Sequence, residues 1–167
     1  MGLTEALLAA LAFLPPVAVL IIIATLPFVE LRGAVPIGIL VYHLDWGVVL
    51  LASILGNLLP IPAILWGAPP VEAWFRRFPR CDRFLGRLFE RTRARHGPRM
   101  VRGGLVALIV FVAIPLPFTG AWTGALLVYL LDLPRTAALG AIAAGVTIAG
   151  VLMLALSLLL GGAFSLF

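Results

Sequence analysis

The chain alternates short apolar runs with clusters of Pro, Gly and Asp, and has one long charged interruption. Residues 6–26 are apolar but broken by Pro15-Pro16, and 27–36 mix Pro, Gly and charge. Residues 37–44 are short and apolar and lead to Asp45. Residues 47–67 are an uncharged apolar run with Asn57, Pro60 and Pro62 inside it. Further on, runs 104–114 and 121–131 flank Pro115-Leu116-Pro117-Phe118-Thr119-Gly120, and the second leads to Asp132. Residues 136–160 carry no charge. A helical pass through a bilayer core needs about 20 apolar residues, so 47–67 and 136–160 are predicted spans. The runs on either side of each break are too short to cross alone.

Two short runs around a break predict a re-entrant hairpin, at about 17–45 and again at about 104–132. Irregular backbone at membrane depth is tolerated only where protein buries it or where it lines a wet cavity. The two hairpins are related in sequence. Laid over each other with a shift of 87 residues, 31–46 and 118–133 share Gly33-Ala34 with Gly120-Ala121, Leu40-Val41-Tyr42 with Leu127-Val128-Tyr129, Leu44 with Leu131 and Asp45 with Asp132. Each hairpin is followed by a full-length span, which predicts a duplication.

Composition puts this pattern in a membrane. The chain has 167 residues, 63% hydrophobic and 11% charged, against about 25% charged in soluble domains; mean hydropathy is +1.17. The net charge of +5 comes from an Arg-rich stretch at 72–103, which fixes orientation instead of pointing to nucleic acid: a short loop this basic is expected in the cytoplasm. Trp74, Phe75, Phe78, Phe84, Leu85, Leu88 and Phe89 recur among the Arg at helical spacing, which suits an amphipathic helix on the lipid surface. With that loop inside, the first hairpin enters from outside and the second from inside. The predicted fold is an all-α polytopic membrane protein built as an inverted repeat, 1–71 and 104–167, joined by the 72–103 linker. Inverted repeats with broken helices near the midplane are a transporter plan. The N-terminus lacks a basic region, so a cleaved signal peptide is not expected. The single Cys81 excludes an internal disulfide.

The breaks carry the candidate chemistry. Half-helices starting near Gly33 and Gly120 would direct amide N–H groups, which attract anions, at the membrane centre. Arg32 adds a planar cation suited to phosphate or carboxylate. Glu30 is the acid expected deep in the membrane, where each charge costs about 2.5–3.5 kcal/mol on the insertion scale. Burial favours its neutral acid and Arg32 favours its carboxylate, so it is a candidate proton-coupling group; the alternative is a structural Glu30–Arg32 pair. Gly33, Pro36, Pro117, Thr119, Gly120, Trp122 and Thr123 complete the candidate substrate site. Thr119 and Thr123 could equally bond back to their own helix. Asn57 is expected to hydrogen-bond within the protein, Asp45 and Asp132 to cap the hairpin ends, and His43 to sit near the outer surface. The sequence shows no nucleophile–base set, metal-ligand spacing or phosphate loop, so neither an enzyme nor a cofactor is expected.

At Glu30-Leu31-Arg32-Gly33-Ala34-Val35-Pro36 and at Pro115-Leu116-Pro117-Phe118-Thr119-Gly120-Ala121-Trp122-Thr123-Gly124 the chain resembles the small multidrug export protein family, over nearly its whole length. That family is similar to the DedA superfamily, whose members share a re-entrant inverted-repeat plan and a tip acid matched here by Glu30. Several DedA-like proteins are implicated in proton-motive-force-dependent movement of polyprenyl-phosphate or other lipids. The DedA second block carries Arg, whereas Thr119, Gly120 and Trp122 stand there in this chain. The resemblance and the residues together imply a multi-pass protein of the cell membrane, in contact with lipids. It would be a secondary transporter or flippase, proton-coupled through Glu30, for an anionic lipid or amphiphile. Export of cationic drugs and a non-transporting scaffold are the alternatives. So small a buried volume per chain suits a homodimer.

Overall fold

The computed structural model describes residues 14–75, 77–78, 90, 103–114 and 119–164. Those residues form helices and turns and no strand. The helices are α1 (Pro16–Thr25), α2 (Glu30–Pro36, continuing as a π-helical turn over Ile37–Val41), α3 (Trp46–Leu58), α4 (Pro60–Phe75), α5 (Gly103–Ala113), α6 (Ala121–Leu130) and α7 (Arg135–Phe164). The chain divides into two compact units, 1–57 with 148–167 and 58–147.

In the first unit, proline sets both ends of α1. Pro16 occupies the first turn, where its fixed φ suits a helix and its missing N–H costs nothing. At the other end Leu26 is extended, with ψ of 134°, because the residue before Pro27 is driven out of the α region. The chain turns over 26–29 and α2 begins at Glu30, packed on α1. Pro36 lies inside α2 and cannot donate to the helical ladder. Beyond it the register slips: the Tyr42 N–H donates to the Ile37 carbonyl, five residues back, at 3.0 Å. The turn ends with His43 left-handed (φ 50°) and the Leu44 N–H on the Gly38 carbonyl at 3.0 Å.

The seam between α1 and α3 is close because of Gly56. A Cβ there would overlap the Ile21 carbonyl oxygen and come within 2.9 Å of the Ala24 Cβ. Pro60 stands four residues after Gly56, where an N–H would ordinarily donate to the Gly56 carbonyl. Thr25 supplies the donor instead: its Oγ1 lies 3.0 Å from the Gly56 oxygen and 2.9 Å from that of Ile21. Val19, Leu20, Ile23, Ala24, Leu31, Val35 and Val49 are buried around this seam.

In the second unit α4 packs on α6. Gly124 of α6 and Gly145 of α7 both let their helices approach α5: a Cβ would come within 2.8 Å of Val112 Cγ2 at the first and 2.7 Å of Val112 Cβ at the second. Small residues at such seams are how membrane helices gain packing contact. Helix α6 ends with Asp132 left-handed (φ 53°) and the Leu133 N–H on the Val128 carbonyl at 3.0 Å, a Schellman closure.

The order helix, break, helix, loop, long helix therefore occurs twice, at 16–74 and at 103–164. Within it the two aligned aspartates do different work. Asp132 closes the end of α6. Asp45 opens the next helix: its Oδ1 accepts the Gly47 N–H at 2.8 Å and its carbonyl receives Val49 at 3.0 Å. The predicted span 47–67 also runs further, to Trp74, with Pro69 and Pro70 inside it. The linker 72–103 lies largely outside the described residues.

Two helices are long and apolar enough to cross a membrane, Trp46–Trp74 (29 residues) and Arg135–Gly161 (27 residues), and only 39% of each one's apolar window is buried. Their open faces carry Leu51, Leu55 and Leu59 on one and Val151, Leu156 and Leu159 on the other. Contiguous exposed apolar faces of this size are costly in water and neutral in lipid. Trp46 and Trp74 stand exposed at the two ends of the first, in the positions of interfacial aromatic belts. The protein is a membrane protein.

Candidate functional site

The first break gathers charge at an apolar turn. Glu30 is 5% exposed and Arg32, two residues on, is half-buried; the two charges interact. Glu30 adopts φ of 52°, a left-handed conformation that costs a non-glycine residue about 1–3 kcal/mol and that clusters at functional sites. Gly33 is required by packing, since a Cβ there would run into Val29 Cγ1. Pro36 closes the motif and starts the π-helical slip, a feature found disproportionately at functional sites.

One expectation for this tip is corrected. The half-helix starts at Glu30, not near Gly33, and the Glu30 and Gly33 N–H groups donate to the Leu26 and Val29 carbonyls at 3.0 and 3.1 Å. Those two donors are used within the chain.

The second break lies in the other unit. Gly120, extended and buried, precedes α6, which begins at Ala121 as the sequence predicts. Thr119 bonds across the break, donating to the Ile114 carbonyl at 2.7 Å. Trp122 and Thr123 are part-exposed in the first turn of α6. Pro117 lies outside the described residues. The structure thus groups Glu30, Arg32, Gly33 and Pro36 in one unit and Thr119, Gly120, Trp122 and Thr123 in the other.

A second polar feature of the first unit was only half legible. Asn57 is 1% exposed, and neither its amide nitrogen nor its amide oxygen has a hydrogen-bond partner among the described residues, contrary to the expected internal bond. Ser53, one turn earlier on α3, is fully buried and its hydroxyl is likewise without a partner there. Other helix hydroxyls in this protein satisfy themselves: Thr147 donates to the Ala143 carbonyl at 2.9 Å and Ser157 to that of Met153 at 2.7 Å. Only the spacing of four from Asn57 marks Ser53 in the sequence. Among the described residues no group of three or more His, Cys, Asp or Glu could hold a metal ion.

A family model, that of the small multi-drug export proteins, matches residues 30–152. The chain belongs to this family. The match begins at Glu30, just after the first break, and its range takes in Glu30, Arg32, the second break and α7 as far as Leu152. No curated protein and no solved structure matches the chain.

Proposed function

We propose that the protein is a proton-coupled secondary transporter of the cell membrane. Its cargo is an anionic amphiphile of the polyprenyl-phosphate type, as in DedA-like flippases. The two helix–break–helix pairs are read as re-entrant and inverted with respect to the membrane, with a multi-pass topology and the Arg-rich linker in the cytoplasm. Family membership supports transport, and an export family gives no reason to seek catalysis. The observation that carries the choice of cargo is the unequal burial at the first tip. Glu30 is withdrawn from the surface while Arg32 remains half-exposed, so the charge a substrate meets is positive.

Coupling follows from the pair. Without substrate, the guanidinium of Arg32 holds the Glu30 carboxylate. An anion docking on Arg32 uses part of that positive charge, and the buried carboxylate then takes a proton more readily. Proton and anion bind together, the linkage a symporter needs. Gly33 and Pro36 shape this tip; Pro117, Thr119, Gly120, Trp122 and Thr123 remain further candidate substrate residues in this reading. The family's drug-export description favours a second reading, in which Glu30 is the partner of a cationic compound.

Reconstitution in vesicles separates them. A fluorescent lipid with a phosphate headgroup is offered to one set and a cationic dye to another, each with an imposed pH gradient. The expected result is phosphate-lipid movement that Arg32→Ala abolishes and that Glu30→Gln makes insensitive to the gradient. Dye export that survives Arg32→Ala and fails with Glu30→Gln would establish the cationic reading instead.

A further inference from the structure

Ser53 and Asn57 on α3 are buried polar residues whose side-chain groups have no hydrogen-bond partner among the described residues. An amide side chain brings two N–H donors and an acceptor, and a hydroxyl brings one donor with acceptor capacity. Leaving such groups unpaired in an apolar interior forfeits the hydrogen bonds they make in water and is destabilising. Leucine has the shape of Asn and would avoid that cost, and Ala would do so at Ser53. The position of the pair argues against accident. Gly56, between them in sequence, sits directly on the end of α1 at Ile21 and Ala24, and its carbonyl is held by Thr25, the last residue of α1. From Thr25 the chain passes at once into the 26–29 turn and Glu30. Ser53 and Asn57 are therefore buried on either side in sequence of the glycine through which α3 packs at the root of the charged break, within the same unit.

We propose that Ser53 and Asn57 form a wet, uncharged ligand site at the root of this break, taking a neutral group that both donates and accepts hydrogen bonds. Water fills it when no cargo is bound, and a hydroxyl or amide of the transported molecule displaces that water during transport. The identity of the second occupant rests on the transport reading above; the wetness of the site does not. The division of labour is chemical: Arg32 recognises charge, and Ser53 with Asn57 recognise a neutral polar group next to it.

The experiment has two arms on the full chain in lipid vesicles. In a Cys81→Ser background, Ser53→Cys is compared with Val49→Cys. Val49 is fully buried one turn earlier and packs on Gly38, so it is the dry control. Maleimide reacts with the thiolate, which forms only where water reaches. The expected result is that Ser53→Cys is labelled by membrane-permeant N-ethylmaleimide at least about tenfold faster than Val49→Cys, the ratio that one unit of thiol ionisation would give. Equal and negligible labelling of both would overturn the wet site, whether or not any transport is seen. In the second arm Asn57→Leu is expected to keep or raise the melting temperature, because an unpaired amide is removed. It should also lower transport of the phosphate-headgroup lipid at least about tenfold, one bidentate amide contact's worth of binding. Asn57→Leu protein that is folded and moves the lipid at the normal rate would overturn the substrate role. If wild-type protein moves neither probe, the transport reading fails while the labelling arm still decides the site.

Discussion

At the scale of the residue, Gly33 shows how one atom is excluded from the charged motif. The Val29 side chain occupies the space a Cβ would need, and both residues flank Glu30 in its left-handed conformation. Overpacking of a tight core costs about 1–3 kcal/mol. Gly33→Ala should therefore lower thermal stability by that amount, and Val29→Ala added to it should restore most of the loss, because the colliding methyl is gone. Differential scanning fluorimetry of the two variants in detergent checks this; a double variant no more stable than Gly33→Ala would show that the constraint is on the backbone and not on Val29. The need for Gly at this position was legible as part of a motif, but its cause was not: it depends on where the 26–29 turn places Val29, which no spacing in the sequence encodes.

At the scale of the element, prolines made most boundaries readable. The apolar run 6–26 is broken at Pro15-Pro16, where α1 starts, and gives way to the mixed stretch at Pro27, just after α1 ends, since each proline acts through its own ring and the residue before it. The apolar runs 47–67 and 136–160 fall inside the two long helices. Other prolines do not mark boundaries. Pro36, Pro69 and Pro70 sit within helices, because φ near −65° is itself helical and lost ladder bonds can be absorbed by a register slip, as after Pro36, or by a partner from another helix. Asp45 and Asp132 align in sequence, yet one caps a helix start and the other a helix end, since the loop that follows each has its own geometry. The Gly56 carbonyl gives a test of partner substitution. Thr25→Val should destabilise the protein by about 0.5–1 kcal/mol, the worth of a side-chain hydrogen bond between membrane helices. In a Pro60→Ala background, where residue 60 has an N–H to give, the same change should cost less. A double-mutant cycle reads the difference as a coupling energy, and a coupling of zero would mean that Thr25 bonds only to Ile21.

At the scale of the whole molecule, the proposed inverted topology makes a prediction that neither unit makes alone. Charge sets the proposed frame: ten of the twelve basic residues lie in 72–103, and the proposal puts a loop with that content in the cytoplasm. Helix Trp46–Trp74 leads into that loop, so its start, and Asp45 with it, belongs on the outside. Helix α5 leaves the loop from the inside. If α5 and α6 form a re-entrant pair, each too short to cross, the chain returns to the inside at Asp132 before Arg135–Gly161 crosses outward. In a Cys81→Ser background, Asp45→Cys should then react with an impermeant maleimide added to intact cells, and Asp132→Cys only after permeabilisation. Both positions are exposed loop residues, so a failure to label cannot be blamed on burial. Labelling of both from the outside would mean that α5 and α6 together cross the membrane once. The inverted reading would then fall, while Glu30, Arg32, Ser53 and Asn57 would keep their places in the first unit.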